Sequence, residues 1–229
     1  MCGRNTLTSN IKSITKEYSI DTCEFDKLKA QYNISPSSHT PVLIYKNKTR
    51  VLKKMRWGLI PQWASETSIG NQMINARSET ISEKPSFQNL IQQNRCVVFS
   101  SGYFEWRNLN GKKQPYYITN KRGLFSFAGL WSKWESINKD AIYSYTIITT
   151  KSQKNLSQIH HRMPVILKNS DVEMWINHTK YNFNIVRELL KPYSNNLYYH
   201  NVSPFVNSTK NDTIRCIEEI KNPNTINLF

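Results

Sequence analysis

The sequence contains few acidic residues. Asp and Glu number 16 against 31 Lys and Arg in 229 residues, which gives a formal net charge of +15 at pH 7. Self-repulsion of this size opposes a compact state, so the surplus favours a polyanionic partner, with nucleic acid as the first candidate. The alternative is a solvated basic surface in a protein encoded by AT-rich DNA, since Asn and Ile are also abundant.

Long apolar runs are absent as well. No run approaches the roughly 18 residues needed to cross a bilayer, and the first residues, MCGRNTLTSN, lack the apolar segment of a secretory signal. We therefore expect an intracellular, soluble, DNA-associated protein with no membrane partner. Only 7 Gly and 9 Pro occur, and no linker or change of composition divides the chain. This favours a single domain over residues 1–229, and we expect a monomer.

Cysteine is scarce and widely spread. The four cysteines are Cys2, Cys23, Cys96 and Cys216, and none belongs to a CxxC or CxxH pair. The spacing argues against a structural zinc site, and the absence of a secretory signal argues against a disulfide framework. We expect neither a metal nor another cofactor.

Short β patterns recur along the chain. Asn110-Gly111 between two such patterns is a strong hairpin signal, and the polar residues 46–49 predict another turn. Strands are expected over residues 41–45, 50–59, 96–100, 103–107, 114–119, 124–130, 143–149 and 197–202. Helices are expected over residues 9–19 with Ser9 or Asn10 as the cap, over part of 78–93 with an interruption near Pro85, and near Ser152, Ser170 and Lys180. Few βαβ alternations appear, so the pattern predicts an α+β fold with a mainly antiparallel sheet or barrel-like core and short flanking helices.

Position 2 has a chemistry of its own. A small residue after Met1 permits removal of Met1, which leaves an α-amine and a thiol on Cys2. Such an aminothiol condenses with an aldehyde through its amine and then closes through sulfur to a thiazolidine. The α-amine, with an unperturbed pKa of roughly 7.7–8.0, is partly neutral near pH 7. The alternative is that Cys2 merely follows the start codon.

Four further segments combine polar groups with aromatic or apolar neighbours: 55–63 (MRWGLIPQW), 73–79 (MINARSE), 102–107 (GYFEWR) and 159–165 (IHHRMPV). Each also has a structural interpretation. Glu105 and Arg107 share one face of a strand and are compatible with a surface ion pair. A single His is more often structural than catalytic, and Trp57 and Trp63 are compatible with core positions.

Taken together, these segments resemble the SOS-response-associated peptidase (SRAP) family. The resemblance spans nearly the whole chain, in family order: the MCGR start, YNISP (32–36), RWGLIP (56–61), NARSE (75–79), GYFEWR (102–107), IHHRMP (159–164) and VSPFVN (202–207). It implies a sensor that traps abasic sites in single-stranded DNA as a thiazolidine through Cys2. The family's suspected peptidase step removes Met1, and a weak lyase activity is compatible with the same chemistry.

The resemblance carries four catalytic residues over to this chain: Cys2, Asn75, Glu105 and His160. Asn75 is suited to orient the amine or the opened sugar. Glu105 is expected to shuttle protons, with a pKa raised by its aromatic neighbours in the GYFEWR segment. His160 is expected to protonate the sugar ring oxygen or to position the 3′ phosphate.

DNA contacts are predicted from arginine and tryptophan. Arg4, Arg77 and Arg162 resemble the family's phosphate contacts near the lesion. Trp63, Trp57 and Trp106 are candidate stacking platforms for bases, with Trp63 preferred.

The basic run over residues 46–56 is either an outer track for DNA or a solvated hairpin. Two other functions remain open: a peptidase that acts on other proteins through Cys and His, and a non-covalent single-strand binding module. Residues 222–229 show no motif for docking a partner.

Overall fold

Strands are the main regular elements of the fold. The computed structural model describes residues 2–220, so the expectations for Met1 and for residues 222–229 lie outside it. The strands are β1 (Arg4–Leu7), β2 (Thr22–Cys23), β3 (Gln31–Ile34), β4 (His39–Lys46), β5 (Thr49–Trp57), β6 (Asn75–Arg77), β7 (Arg95–Ser100), β8 (Gly102–Leu109), β9 (Lys112–Thr119), β10 (Phe125–Glu135), β11 (Ala141–Lys151), β12 (Arg162–Pro164), β13 (Ile166–Leu167) and β14 (Tyr198–Asn201). The α-helices are α1 (Ile11–Glu17), α2 (Pro85–Gln88), α3 (Leu90–Gln93), α4 (Asn169–Ile176) and α5 (Phe183–Val186). Short 3-10 helices span Thr67–Gln72, Arg187–Leu189, Pro204–Asn207 and Ile214–Cys216.

Five strands close into a barrel. β11, β10, β7, β4 and β5 pair in that order, each antiparallel to the next. β5 then returns to β11 as a parallel pair through Arg56 opposite Ser144 and Trp57 opposite Tyr145. Closure leaves these strands without an open edge, as in other small barrels. The short strand β6 pairs with the same edge of β11 farther along, at Ile147 to Thr149, also in parallel.

A second sheet packs against the barrel. Its order is β14-β9-β8-β1-β3, and every pairing is antiparallel. Tyr103 on β8 contacts the barrel residues Phe125 and Phe127, with ring centroids 6.0 and 5.9 Å apart. The predicted α+β class, with a mainly antiparallel barrel-like core and short helices, is confirmed.

Local signals placed several element boundaries correctly. Asn10 is the N-cap of α1, as predicted, because its side chain accepts a hydrogen bond from the Ser13 amide. Asn110 and Gly111 form the predicted two-residue hairpin between β8 and β9. Their φ angles of 50° and 83° are the positive values that such a turn requires.

Three helix predictions need correction. No helix lies near Ser152, because residues 154–159 form consecutive turns. Pro85 begins α2 instead of interrupting a longer helix, since the first turn of a helix does not need the amide hydrogen that proline lacks. The helix expected near Lys180 begins at Phe183, where Asn182 caps it. The helix expected near Ser170 is present as α4.

No helix within residues 2–220 is long and apolar enough to cross a membrane. The assignment of a single domain to residues 1–229 stays a prediction, because it extends beyond the described residues.

Candidate active site

Cys2 lies immediately before β1 and is fully buried. Its Sγ is 3.9 Å from the carbonyl oxygen of Arg4, to which the thiol donates. Burial, together with the nearby carboxyl group of Glu105, raises the pKa of the Cys2 thiol far above its usual range. The thiol is therefore neutral here, and it becomes a strong nucleophile only when a base accepts its proton.

Glu105 is brought beside the start of β1 by the pairing of β8 with β1, which sets Phe104 opposite Arg4. Only 3% of Glu105 is exposed, so the surface ion pair with Arg107 is wrong. Burial raises the pKa of the Glu105 carboxyl to about 7. At neutral pH both its protonated and its ionised forms are therefore populated, as proton transfer in either direction requires.

The aromatic neighbours of Glu105 do not surround it as the sequence suggested. Side chains alternate along a strand, so only Tyr103 shares the face of Glu105. Phe104 points to the other face and joins a small separate core with Tyr117, and Trp106 packs there as well. The raised pKa thus comes from burial between the sheet and the barrel, not from a box of three aromatic rings.

His160 approaches Glu105 from the loop before β12. Its Nδ1 lies 3.9 Å from Glu105 Oε1 and accepts a hydrogen bond from the Arg162 amide at 3.0 Å. The same Nδ1 lies 3.2 Å from the carbonyl oxygen of Arg162, to which it would donate in the other tautomer. Burial lowers the pKa of His160 to about 4. At pH 7 the ring is therefore neutral, and it acts as a hydrogen-bonding group and not as the stored acid that the sequence suggested.

Asn75 approaches Cys2 from the barrel. β6 runs parallel to β11 with Asn75 opposite Ile147, and Asn75 Nδ2 donates to the carbonyl oxygen of Cys2 at 2.9 Å. Its Oδ1 is buried and has no hydrogen-bond partner among residues 2–220. The fold therefore brings Cys2, Asn75, Glu105 and His160 together from four separate segments.

A cleft of about 420 Å³ opens beside these residues, and Arg4, Glu105, Trp106, Lys113, His160 and Asn207 line it. Arg4 is fixed at its wall, because its guanidinium donates to Asn33 Oδ1 at 2.8 Å and to the carbonyl oxygens of Val206 and Asn207. Sequence reasoning missed Lys113 and did not single out Asn207. The late VSPFVN segment contained the only signal for Asn207, whereas nothing in the sequence distinguishes Lys113 from other surface lysines.

The other two predicted arginines differ in exposure. Arg77 is exposed at the end of β6 and is available to a ligand. Arg162 is 8% exposed and forms a bidentate pair with Glu79 at 2.7 and 2.9 Å. The role of Arg162 as a phosphate contact stays a prediction, and in this structure its guanidinium is paired with Glu79 and Thr149.

The three predicted tryptophans also differ in exposure. Trp63 is 64% exposed and lines a depression of about 470 Å³ with Ile69, Asn71 and other residues. Trp106 is partly exposed in the cleft, where its Nε1 donates to Asn207 Oδ1 at 2.8 Å. Trp57 is fully buried against Tyr145, and its Nε1 donates to the carbonyl oxygen of Ile74. The prediction of Trp57 as a stacking platform is therefore wrong, since neither ring face is open to a base.

The basic run over residues 46–56 is partly neutralised within the fold. Arg50 pairs with Glu173 at 2.6 Å and Lys53 pairs with Glu24. Arg56 donates to Ser37 and Asn71. These contacts favour the solvated-hairpin interpretation over a continuous DNA track. Within the described residues, no cluster of three or more His, Cys, Asp or Glu side chains is placed to hold a metal ion.

Comparison with known proteins extends these observations. A family model described as "SOS response associated peptidase (SRAP)" matches residues 1–209. A Bacillus subtilis (strain 168) protein named abasic site processing protein YoqW is 40% identical over 222 residues, covering 95% of this chain and 99% of that protein. Abasic site processing protein HMCES of Xenopus tropicalis is 36% identical over 227 residues, covering 85% of this chain and 68% of that protein.

Solved structures agree with the fold. A Bacteroides thetaiotaomicron protein superposes with a TM-score of 0.86 at 28% identity, covering 96% of this chain and all of that one. A phage-related protein from Bordetella bronchiseptica has a TM-score of 0.70 at 24% identity and is similar in fold alone. The overall fold therefore recurs in these solved structures.

Proposed function

This chain belongs to the SOS response associated peptidase (SRAP) family, and we propose that it traps abasic sites in single-stranded DNA as a covalent crosslink through Cys2. Its relatives YoqW and HMCES are named abasic site processing proteins. The observation that carries the proposal is the convergence of Cys2, Asn75, Glu105 and His160 beside a cleft with a cationic wall.

The chemistry requires the aldehyde form of the abasic sugar and a free α-amine on Cys2, so Met1 must first be removed. The amine attacks C1′ of the open sugar to give a carbinolamine, and loss of water then gives an imine. The thiol adds to the imine carbon, its proton passes to the imine nitrogen, and a thiazolidine forms. The overall change consumes one amine, one thiol and one aldehyde and releases one water.

Glu105 is the proton carrier for these steps. Its carboxylate form accepts a proton from the attacking amine, and its acid form returns that proton to the departing hydroxyl group. A pKa of about 7 permits both roles near neutral pH. The carboxylate also serves as the base for the Cys2 thiol, which burial keeps protonated.

Asn75 and His160 orient the reactants. Asn75 holds the Cys2 carbonyl group through its Nδ2, and its free Oδ1 is an acceptor for the α-amine. His160 presents an Nε2–H donor that opens the sugar ring by hydrogen bonding to the ring oxygen or holds the 3′ phosphate. Arg4, Arg77 and Lys113 supply positive charge for phosphates, and Trp63 and Trp106 supply ring surfaces for bases.

Processing of the chain's own N-terminus belongs to the same proposal. The peptide bond between Met1 and Cys2 precedes the residue that Asn75 contacts and whose thiol pKa Glu105 helps to raise, so the thiol peptidase activity is directed at the chain itself. In the corresponding weak lyase reaction a base removes a C2′ proton from the imine, a C2′=C3′ double bond forms, and the C3′–O bond breaks to release the 3′ phosphate. Hydrolysis of other proteins is a second candidate, but the cationic cleft favours a polyanion over a peptide.

A denaturing gel tests the proposal directly. Met1-processed protein is incubated with single-stranded DNA that carries one true abasic site, with a tetrahydrofuran analogue and Cys2→Ala protein as controls. A heat-stable shifted band is expected only with the true site and only with Cys2. If the wild-type protein binds the DNA in a salt-sensitive way but gives no such band, the covalent mechanism is wrong and non-covalent binding is the better account.

A further inference from the structure

Arg162, whose amide contacts His160, forms a bidentate ion pair with Glu79. Arg162 Nη1 is 2.7 Å from Glu79 Oε1, and Arg162 Nη2 is 2.9 Å from Glu79 Oε2. The Arg162 side chain is 8% exposed and that of Glu79 is 41% exposed, so the pair joins a buried cation to a carboxylate at the surface. The parallel fork of two charge-assisted bonds fixes the orientation of the guanidinium as well as its distance.

Arg162 is anchored at both of its ends. Its Nη2 also donates to the carbonyl oxygen of Thr149 on β11 at 2.6 Å. At the other end, its main-chain amide donates to His160 Nδ1 at 3.0 Å. The carbonyl oxygen of Arg162 lies 3.2 Å from the same Nδ1. The position of the Arg162 backbone therefore bears on the protonation of the ring, because an amide N–H that points at Nδ1 favours the tautomer with no hydrogen there.

The strand that presents this amide has little support from its own backbone. β12 has three residues, and it pairs with β11 through Arg162, Met163 and Pro164. Pro164 has no amide hydrogen to contribute to that ladder. The contacts of the Arg162 side chain with Glu79 and Thr149 therefore add to the short backbone pairing that positions the Arg162 amide.

We propose that Glu79 is a positioning residue that acts through Arg162 to hold His160 as the neutral ring with its proton on Nε2. Glu79 itself does not line the cleft. Its carboxylate keeps the guanidinium in place, the guanidinium keeps the Arg162 amide in place, and the amide selects the tautomer that directs Nε2–H away from Arg162. The hydrogen bonds from Arg162 lower the pKa of Glu79, so the carboxylate stays ionised at neutral pH.

The effect on crosslinking rests on the proposed function, but the effect on the His160 ring does not. The experiment therefore measures both in the full-length chain. The ¹⁵N chemical shifts of the His160 ring report which nitrogen is protonated, and a gel time course with abasic single-stranded DNA reports the rate. The variants are Glu79→Ala, Glu79→Gln and Glu79→Asp, and the matched control is Glu173→Ala, which removes the Arg50–Glu173 ion pair outside the cleft.

Glu79→Ala is expected to mix the two His160 tautomers and to slow crosslinking about tenfold. Glu79→Asp, which keeps the charge, should restore part of the Nε2–H tautomer and part of the crosslinking rate. Glu79→Gln should lie between Glu79→Ala and Glu79→Asp in both measurements. Glu173→Ala should change neither, even where it lowers thermal stability as much as Glu79→Ala does. If Glu79→Ala folds and leaves the ¹⁵N shifts of His160 as in the wild type, the positioning role is wrong.

Failure of the proposed function has a different signature. In that case the wild type shows the Nε2–H tautomer, Glu79→Ala loses that tautomer, and yet the wild type gives no crosslink. This result would support the positioning role and contradict the crosslinking function. Should Glu79→Ala fail to fold, Glu79→Gln and Glu79→Asp replace it, because both retain a hydrogen-bond acceptor. If both variants fold and leave the ¹⁵N shifts of His160 as in the wild type, the positioning role is wrong.

Discussion

Asn75 Nδ2 donates to the carbonyl oxygen of Cys2 across 2.9 Å, and this single bond joins the barrel to the second sheet at the reactive residue. Asn75 lies on β6, which extends the barrel strand β11, whereas Cys2 precedes β1 in the second sheet. The position of the aminothiol relative to the barrel therefore depends on a side chain 73 residues away in the sequence.

Replacing Asn75 by Ala should slow crosslinking about tenfold with little loss of stability, since one hydrogen bond contributes about 1 kcal/mol. Rates come from single-turnover gels with abasic single-stranded DNA. Asn108→Ala removes a comparable side chain–backbone bond in the exposed β8–β9 hairpin and should leave the rate unchanged. Equal rates for Asn75→Ala and the wild type would show that this bond does not position Cys2.

The raised pKa of Glu105 predicts a pH-dependent difference in stability between the wild type and Glu105→Gln. An unfolded Glu ionises near roughly 4.3, whereas folding raises the pKa of Glu105 to about 7. A raised pKa means that the contribution of Glu105 to stability is fully present below pH 4.3 and is lost as the pH rises through 7. The wild type should therefore lose about 3 kcal/mol relative to Glu105→Gln between pH 4 and pH 8.

Urea unfolding at a series of pH values measures this difference, and subtraction of the two curves removes the contribution of every other group. Glu218→Gln, at an exposed carboxylate, is the matched control and should run parallel to the wild type. A stability gap between wild type and Glu105→Gln that stays constant from pH 4 to pH 8 would contradict the buried, perturbed carboxyl group.

Substitutions of the exposed Trp63 and the buried Trp57 should have different effects, one on DNA binding and the other on the stability of the fold. Trp63→Ala should weaken binding to intact single-stranded DNA by roughly 1–3 kcal/mol with no change in the melting temperature, because its exposed ring is free to stack. Trp57→Ala should instead destabilise the fold by about 3–5 kcal/mol, since it leaves a cavity beside Tyr145. Fluorescence anisotropy and thermal unfolding on the same samples distinguish the two. A binding loss in folded Trp57→Ala that exceeds the loss in Trp63→Ala would overturn this assignment.

The sequence predicted the parts of the fold that local chemistry determines. The Asn110-Gly111 turn and the Asn10 cap each depend on a few adjacent residues, so they were found. The helix near Ser152 was wrong because capping residues also favour turns, and the contacts of this loop are long-range. One such contact is the bond from Gln153 Nε2 to the carbonyl oxygen of Tyr193, which is 40 residues away.

The burial of candidate site residues was harder to predict than their identity. An alternating strand pattern places Glu105 on one face but does not reveal that this face is covered by the barrel. The same limit applies to Trp57, which is enclosed only because β5 returns to β11 in parallel. The pairing of Arg162 with Glu79 joins residues 83 positions apart, and no local signal in the sequence predicts it.

Gly102 connects the packing of the second sheet to the position of Glu105. A Cβ atom at Gly102 would lie 2.2 Å from Tyr117 Cζ and 2.3 Å from its hydroxyl oxygen, so the Tyr117 ring occupies the space that any side chain would need. That ring is held in place, because its hydroxyl group is within 2.9 Å of Thr6 Oγ1 on β1. Gly102 begins β8, three residues before Glu105.

Gly102→Ala should therefore destabilise the fold by about 1–3 kcal/mol, as overpacking does, and should slow crosslinking by displacing β8 and Glu105. A double-mutant cycle with Tyr117→Leu tests the cause. If the clash with the ring is responsible, Tyr117→Leu should relieve part of the cost of Gly102→Ala in both urea unfolding and crosslinking rate. Strictly additive losses would mean that the alanine acts through the backbone conformation of β8 and not through contact with Tyr117.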